Sequence, residues 1–101
     1  MNYSDSIRSK LAGRLPDLKS RYPIDRIALF GSVVRKDFNP EKSDVDILVE
    51  LNGEMDWNYF DLCFEIQAMF PDFKIDVVPR GAIQENYWPF IKEDLHYVET
   101  E

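Results

Sequence analysis

Asp44 and Asp46 stand one residue apart at the head of an alternating apolar run, Val45 to Leu51. A period of two puts both carboxylates on one side of a strand. Two ionised carboxylates held close together repel, so a site that keeps both charged needs a cation, and all-oxygen ligands suit Mg2+ or Mn2+. An isolated Asp-x-Asp is more often a solvated strand edge or an acidic turn. Asp76 is a third carboxylate, set among apolar residues in the run Phe73 to Pro79. Aspartate suits a mid-strand position poorly, so it needs either a partner or a function there. An ion pair to Arg26 or Lys74 is the structural alternative. Gly31-Ser32 follows the apolar run Ile24 to Phe30. Glycine permits close backbone approach, and a helix starting there would present unpaired N–H groups to an anion. Ser32 adds a hydroxyl, Arg35 lies one turn on, and Ser43 immediately precedes the aspartate pair. Gly31, Ser32, Arg35 and Ser43 are therefore the candidate phosphate-binding residues. A plain turn with a helix cap is the commoner meaning of Gly-Ser.

The elements that must position these residues are legible from periodicity. Ile7, Leu11, Leu15 and Leu18 mark one face of an opening helix, which Ser4 or Ser6 could cap and Pro16 is expected to kink or split. Tyr22-Pro23 ends it. Ile24 to Phe30 reads as a strand, Val33 to Phe38 as a short helix, and Asn39 to Ser43 as a polar loop. In the strand Val45 to Leu51, Val45, Ile47, Val49 and Leu51 share one face, while Asp44, Asp46, Leu48 and Glu50 take the other. Trp57 to Phe70 has helical spacing, with Tyr59, Leu62, Cys63, Ile66, Met69 and Phe70 on its apolar stripe, widened by Phe60, Phe64 and Ala68. A third strand runs from Phe73 to Pro79, and a last helix from about Tyr87 to Leu95, with Pro89 in its first turn. The expected fold class is α/β (α+β), a small mixed sheet flanked by helices over residues 1–101 as one domain.

If the first two strands are antiparallel, Ser32 at the end of one meets Asp44 at the start of the next. Asp76 can then enter from a neighbouring strand. Three carboxylates beside an anion-binding turn form the arrangement that metal-assisted phosphoryl or nucleotidyl transfer requires.

The stretch Phe30 to Glu50, FGSVVRKDFNPEKSDVDILVE, resembles the signature of the minimal nucleotidyltransferases, small members of the DNA polymerase beta-like nucleotidyltransferase superfamily. That pattern is Gly-Ser, a spacer (here Val33 to Ser43), Asp-x-Asp and a later strand aspartate (here Asp76 in KIDVV). The closing IKEDLHYVE is similar to the family's final helix and tail. The resemblance implies a polymerase beta-like fold. Asp44 and Asp46 would bind metal, Asp76 would complete the site and help deprotonate an acceptor hydroxyl, and Gly31 and Ser32 would hold the triphosphate of ATP or another NTP. It also implies a partner. Small members of this type commonly pair with a separate HEPN-domain protein, as antitoxins that adenylylate a tyrosine on their toxin. Many such antitoxins read Gly-Ser-Arg-x-Arg-Gly, whereas this chain has Gly31-Ser32-Val33-Val34-Arg35-Lys36. Arg35 matches the second arginine, while Val33 and Lys36 depart from the first arginine and the glycine. A contact-only module that neutralises a basic partner is the alternative function. Nucleotidylation of a small molecule is a weaker one.

Composition bounds the rest. The chain has 101 residues, 45% hydrophobic and 14% aromatic, and a net charge of −7. Disorder and a membrane span are both disfavoured. Residues 1–36 carry 8 basic and 3 acidic side chains, whereas residues 37–101 carry 4 and 16. The net sign disfavours direct nucleic-acid binding, and the acidic part suits a basic partner or divalent ions. The lone Cys63 and the polar start of the chain predict a cytoplasmic protein. Cys63 is expected in the core, His96 in a surface or packing role, and the aromatics mostly in the core, with any surplus marking a partner surface.

Overall fold

The computed structural model describes residues 2–53 and 56–99. Helix α1 (Tyr3–Arg21) leads into strand β1 (Ile24–Phe30), a 3-10 turn (Gly31–Val34) and strand β2 (Asp44–Leu51). Helix α2 (Asn58–Met69), strand β3 (Lys74–Pro79), a second 3-10 turn (Arg80–Ala82), helix α3 (Trp88–Asp94) and a two-residue strand β4 (His96–Tyr97) follow. The expected mixed sheet flanked by helices is what forms. Its strand order is β3-β2-β1-β4. β1 is antiparallel to both β2 and β4, and β2 is parallel to β3. A parallel pair cannot be closed by a tight turn, and α2 is its crossover.

Ile7, Leu11, Leu15 and Leu18 of α1 pack on Ile27, Leu29, Val45, Ile47 and Val49 of the sheet and on Leu62 and Ile66 of α2 in one core cluster. Ala28 and Leu48 are fully buried but outside that cluster, on the opposite sheet face. Both faces are thus covered at mid-sheet. The face shared by Asp44 and Asp46 opens to solvent only towards their end, where Asp44 is exposed and Asp46 half-buried.

Four expectations are corrected. α1 runs through Pro16 without a break. The ring lies on the exposed side, while buried Leu11, Leu15 and Leu18 anchor the helix above and below it. The unsatisfied carbonyl four residues back can then be met by water. Ser4 is not the cap: Asn2 takes that place, its side chain accepting from the Asp5 N–H at 2.8 Å, and Ser4 is buried. Val33 to Phe38 is not a helix. The 3-10 turn ends at Val34, and Phe38 folds back to meet Tyr3 and Phe73 edge-on or tilted at ring separations of 5.5 and 6.3 Å. His96-Tyr97 adds to the sheet edge beside Ala28 and Leu29, where the sequence suggested only the end of a helix and a tail.

The aromatic residues also divide differently. Tyr59 is half-buried, and its hydroxyl donates to the Val77 carbonyl at 3.3 Å. Trp57, Phe60, Phe64, Tyr87 and Phe90 are exposed, Trp57 by 84%. The apolar stripe of α2 is wider than the surface the sheet offers, so its margin faces water. Cys63 lies at that margin and is half-buried rather than core. Among the described residues, no helix is long and apolar enough to cross a membrane.

Candidate functional site

β2 and β3 run side by side in register, with Asp46 opposite Asp76 and Asp44 opposite Lys74. Alternation then puts Asp44, Asp46 and Asp76 on one face, at the start of two parallel strands. β1 ends at the same place, with Phe30 opposite Asp46. The chain next turns through Gly31 at φ +77, a left-handed conformation that L side chains rarely adopt. Space gives a second reason for glycine: a Cβ there would lie 2.3 Å from Asp46 Oδ2. The Gly31 backbone is therefore pressed against the Asp46 carboxylate.

The electrostatics follow from this crowding. Burial, then Asp76, then Asp44 push the Asp46 carboxyl up to about 6, while Arg35 opposes them. Asp46 thus carries the strain of three negative groups sharing one sheet face. The side chains are not drawn to a common point: among the described residues, no three His, Cys, Asp or Glu groups are arranged to hold an ion. As a donor set they nonetheless fit a hard divalent cation. All are carboxylate oxygens, and the raised Asp46 value marks a negative charge that a cation would relieve. Neither ion pair considered for Asp76 forms. Arg26 instead pairs with Glu50 (Nε–Oε2 3.3 Å) and stacks on Tyr97 at 4.1 Å.

The remaining candidates are placed less uniformly. Ser32 Oγ reaches the Asp44 carbonyl at a long 3.5 Å and is half-exposed beside the turn. Ser43 closes the loop before β2: its N–H donates to the Asn39 carbonyl at 2.7 Å, and its Oγ accepts from the Asn39 N–H at 3.2 Å. Arg35 follows the 3-10 turn in extended backbone. It lies close enough to act on Asp46, yet it also makes a 3.7 Å ion pair with Asp94 at the end of α3. Asp94 borders the site and was not singled out from the sequence, where it belongs to an acidic run with no periodic signal. Glu101, the end of that run, lies outside the described residues.

A carboxylate trio on neighbouring parallel strands, backed by a glycine turn from an antiparallel strand, is an arrangement that nucleotidyl transfer can use. A nucleotidyltransferase domain model matches residues 12–98, and the chain belongs to that family. It is 42% identical over 85 residues to a Methanocaldococcus jannaschii protein named "Putative protein adenylyltransferase", covering 80% of this chain and 83% of that one. A second protein of the same name and organism is 34% identical over 84 residues, with 80% and 83% covered. Solved structures share the fold. One is a mutant toxin–antitoxin complex, MntA–HpeT, with TM-score 0.62 at 18% identity over 100% of this chain and 75% of that one. Another is a tri-AMPylated Shewanella oneidensis HEPN toxin in complex with MNT antitoxin, with TM-score 0.60 at 16% identity over 93% and 73%.

Proposed function

We propose that this nucleotidyltransferase moves AMP from ATP to a tyrosine hydroxyl of a HEPN-domain partner protein. The observation that carries the reading is the pairing of Asp46 with Asp76 on one sheet face, with Asp44 beside them and Gly31 against Asp46. The names of its archaeal relatives favour AMP and a protein acceptor, and the structural neighbours favour a HEPN partner.

In this reading Asp44 and Asp46 hold a divalent cation, Mg2+ or Mn2+, and Asp76 completes the set. When bound, the ion neutralises triphosphate charge at the reacting phosphorus. Asp76, on the exposed side of the trio, orients the acceptor hydroxyl and takes its proton. The Gly31 and Ser32 N–H groups and the Ser32 hydroxyl steady the triphosphate. Arg35 exchanges its long contact with Asp94 for a phosphate oxygen. Ser43 fixes the loop that delivers Asp44. The bond from the α-phosphorus to pyrophosphate breaks as the bond to the tyrosine oxygen forms.

The test is pyrophosphate release from ATP with Mg2+ and the HEPN partner. Release that depends on the partner and is abolished in Asp44→Ala plus Asp46→Ala supports the reading. Release that survives the double substitution contradicts it.

Contact neutralisation is the second reading. Trp57, Phe60 and Phe64 are exposed on one margin of α2, and between Asn52 and Phe73 the sequence carries five acidic and no basic side chains. An apolar strip with an acidic border suits a basic partner surface. Full neutralisation by the double aspartate variant would favour this reading.

A further inference from the structure

Asp76 sits in the middle of β3, the outermost strand at one side of the sheet. The hydrogen-bond parity of the sheet fixes which backbone groups of β3 face outwards. The Val98 N–H donates to the Ile27 carbonyl at 2.8 Å, beside β4, so Ala28 and Phe30 face β2. Their antiparallel partners Leu48 and Asp46 face β1 in return, which leaves Val45, Ile47 and Val49 to face β3. In a parallel pair, a residue facing the neighbouring strand bonds to the residues on either side of its register partner. Ile47, in register with Val77, therefore bonds Asp76 and Val78. The N–H and C=O groups of Ile75 and Val77 point away from the sheet.

Two observations agree with this parity. Pro79, which has no N–H to give, falls on an outward position. The Tyr59 hydroxyl reaches the Val77 carbonyl at 3.3 Å, as an outward carbonyl allows. Among the described residues no strand pairs with this edge, and the Ile75 N–H and C=O and the Val77 N–H have no backbone partner there. Proteins usually blunt such an edge. Here Pro79 and the Tyr59 hydroxyl close its far part, while the part flanking Asp76 stays open.

We infer that an extended segment of the acceptor protein adds to the open edge of β3 as a further strand, with its tyrosine in register with Asp76. The inference rests on the proposed transfer to a protein. An added strand lies roughly 4.8 Å from β3, and a residue in register with Asp76 shares its face. A tyrosine there stands beside the trio, and the residues before and after it turn to the other face, where α2 lies. On that side Tyr59 meets Phe60, and Phe60 meets Trp57, at ring separations of 6.2 and 6.0 Å. Phe60 and Trp57 are exposed, so the rings continue the edge into an apolar surface for the flanking side chains. Main-chain pairing supplies affinity and register, and the side-chain surface selects the sequence. A second copy of this chain suits the edge poorly. Edge-to-edge pairing would gather the Asp76 carboxylates of both copies, and the five acidic residues between Asn52 and Phe73 of each, about one sheet. A segment with apolar or basic flanks meets no such repulsion.

The test is amide hydrogen exchange, read by 1H–15N NMR on the Asp44→Asn plus Asp46→Asn protein, alone and in complex with the proposed HEPN partner. The partner's mass after treatment with the wild type, ATP and Mg2+ is measured beside it. In the free protein the Ile75 and Val77 amides should exchange fast, and those of Asp76 and Val78 slowly. In the complex Ile75 and Val77 should slow at least about tenfold, while Asp76 and Val78 change little. Val77→Pro removes one outward donor and spares the bonds to β2. It should raise the KM for the partner at least about tenfold, with kcat and the KM for ATP unchanged. Slowing of all four amides alike, slowing confined to α2, or no slowing, in a complex whose partner gains AMP, would overturn the edge docking and leave the transfer reading standing. The alternating pattern with a partner that gains no AMP would support the docking and overturn the transfer reading. Absence of any complex contradicts both. A Val77→Pro protein with a native spectrum and an unchanged partner KM also overturns the docking. If that variant does not fold, the exchange pattern decides.

Discussion

Gly31 and Asp46 constrain each other, because no room is left for a Cβ between that backbone and the carboxylate. Gly31→Ala would put a methyl group 2.3 Å from Asp46 Oδ2 on a backbone at φ +77. A strained residue of this kind costs about 1–3 kcal/mol. The expected outcome is a lower melting temperature together with loss of transfer, because relief of the clash moves the carboxylate. A variant with wild-type stability and activity would refute the contact. Asp46→Asn keeps the shape and removes the charge. It should cut transfer by at least about a hundredfold, or 2.7 kcal/mol, while relieving the repulsion that raises Asp46. Its melting temperature without metal should not fall, which thermal denaturation checks. These residues were legible in the sequence because a strand has a period of two and a Gly-Ser turn has few meanings beside Asp-x-Asp. The left-handed backbone of Gly31 and its contact with Asp46 were not legible. They arise from the β1–β2 register, which no local pattern encodes.

At the scale of elements, α1 is held by burial and tolerates a poor helix former. Pro16→Ala restores a backbone hydrogen bond on the exposed side and should stabilise the protein, by up to about 3 kcal/mol, the helix-interior difference between the two residues. A rise of several degrees in melting temperature is the expected result, and a fall would mean that the ring packs against something essential. Beside their shared apolar core, α1 and α2 are joined by charged groups at their exposed edge. Glu65 of α2 accepts from Arg21 Nη1 at 2.7 Å and from the Tyr22 hydroxyl, and Arg21 also bonds Asp17 at 2.6 Å. The Arg21 and Tyr22 hydrogen bonds hold the Glu65 carboxyl at about 2, well below its usual 4.5. A depressed folded-state value means that the stabilisation is complete above pH 4.5 and is lost as pH falls from there towards 2. Glu65→Gln should therefore lower stability at neutral pH, modestly because the pair is solvent-accessible, and flatten the acid loss in that window. Urea titrations at several pH values would show this. Strand and helix limits fell within a residue or two of those read from periodicity wherever an element buries one clear face. The pattern failed where tertiary contact decides. β4 is too short to show alternation, the turn after Gly31 is closed by Phe38 packing on Tyr3 and Phe73, and Phe60 and Phe64 share a helical stripe with buried neighbours but lie beyond the sheet's reach.

On the scale of the whole molecule, charge and exposed aromatic surface bear on the proposed partner. The acidic stretch around α2 predicts that a complex with a basic HEPN protein weakens with added salt, as screening reduces steering. Trp57→Ala plus Phe64→Ala should weaken the same complex while leaving the melting temperature within about a degree, since both side chains are exposed. Calorimetric titration at two ionic strengths measures both effects. The measurement that bears most directly on the carboxylate trio is the intact mass of the proposed HEPN partner after incubation with this protein, ATP and Mg2+. The partner is expected to gain one AMP or a small multiple, and to gain none when Asp44→Ala plus Asp46→Ala replaces the wild type in a complex that still forms. A partner of unchanged mass that is nonetheless fully neutralised would contradict the account.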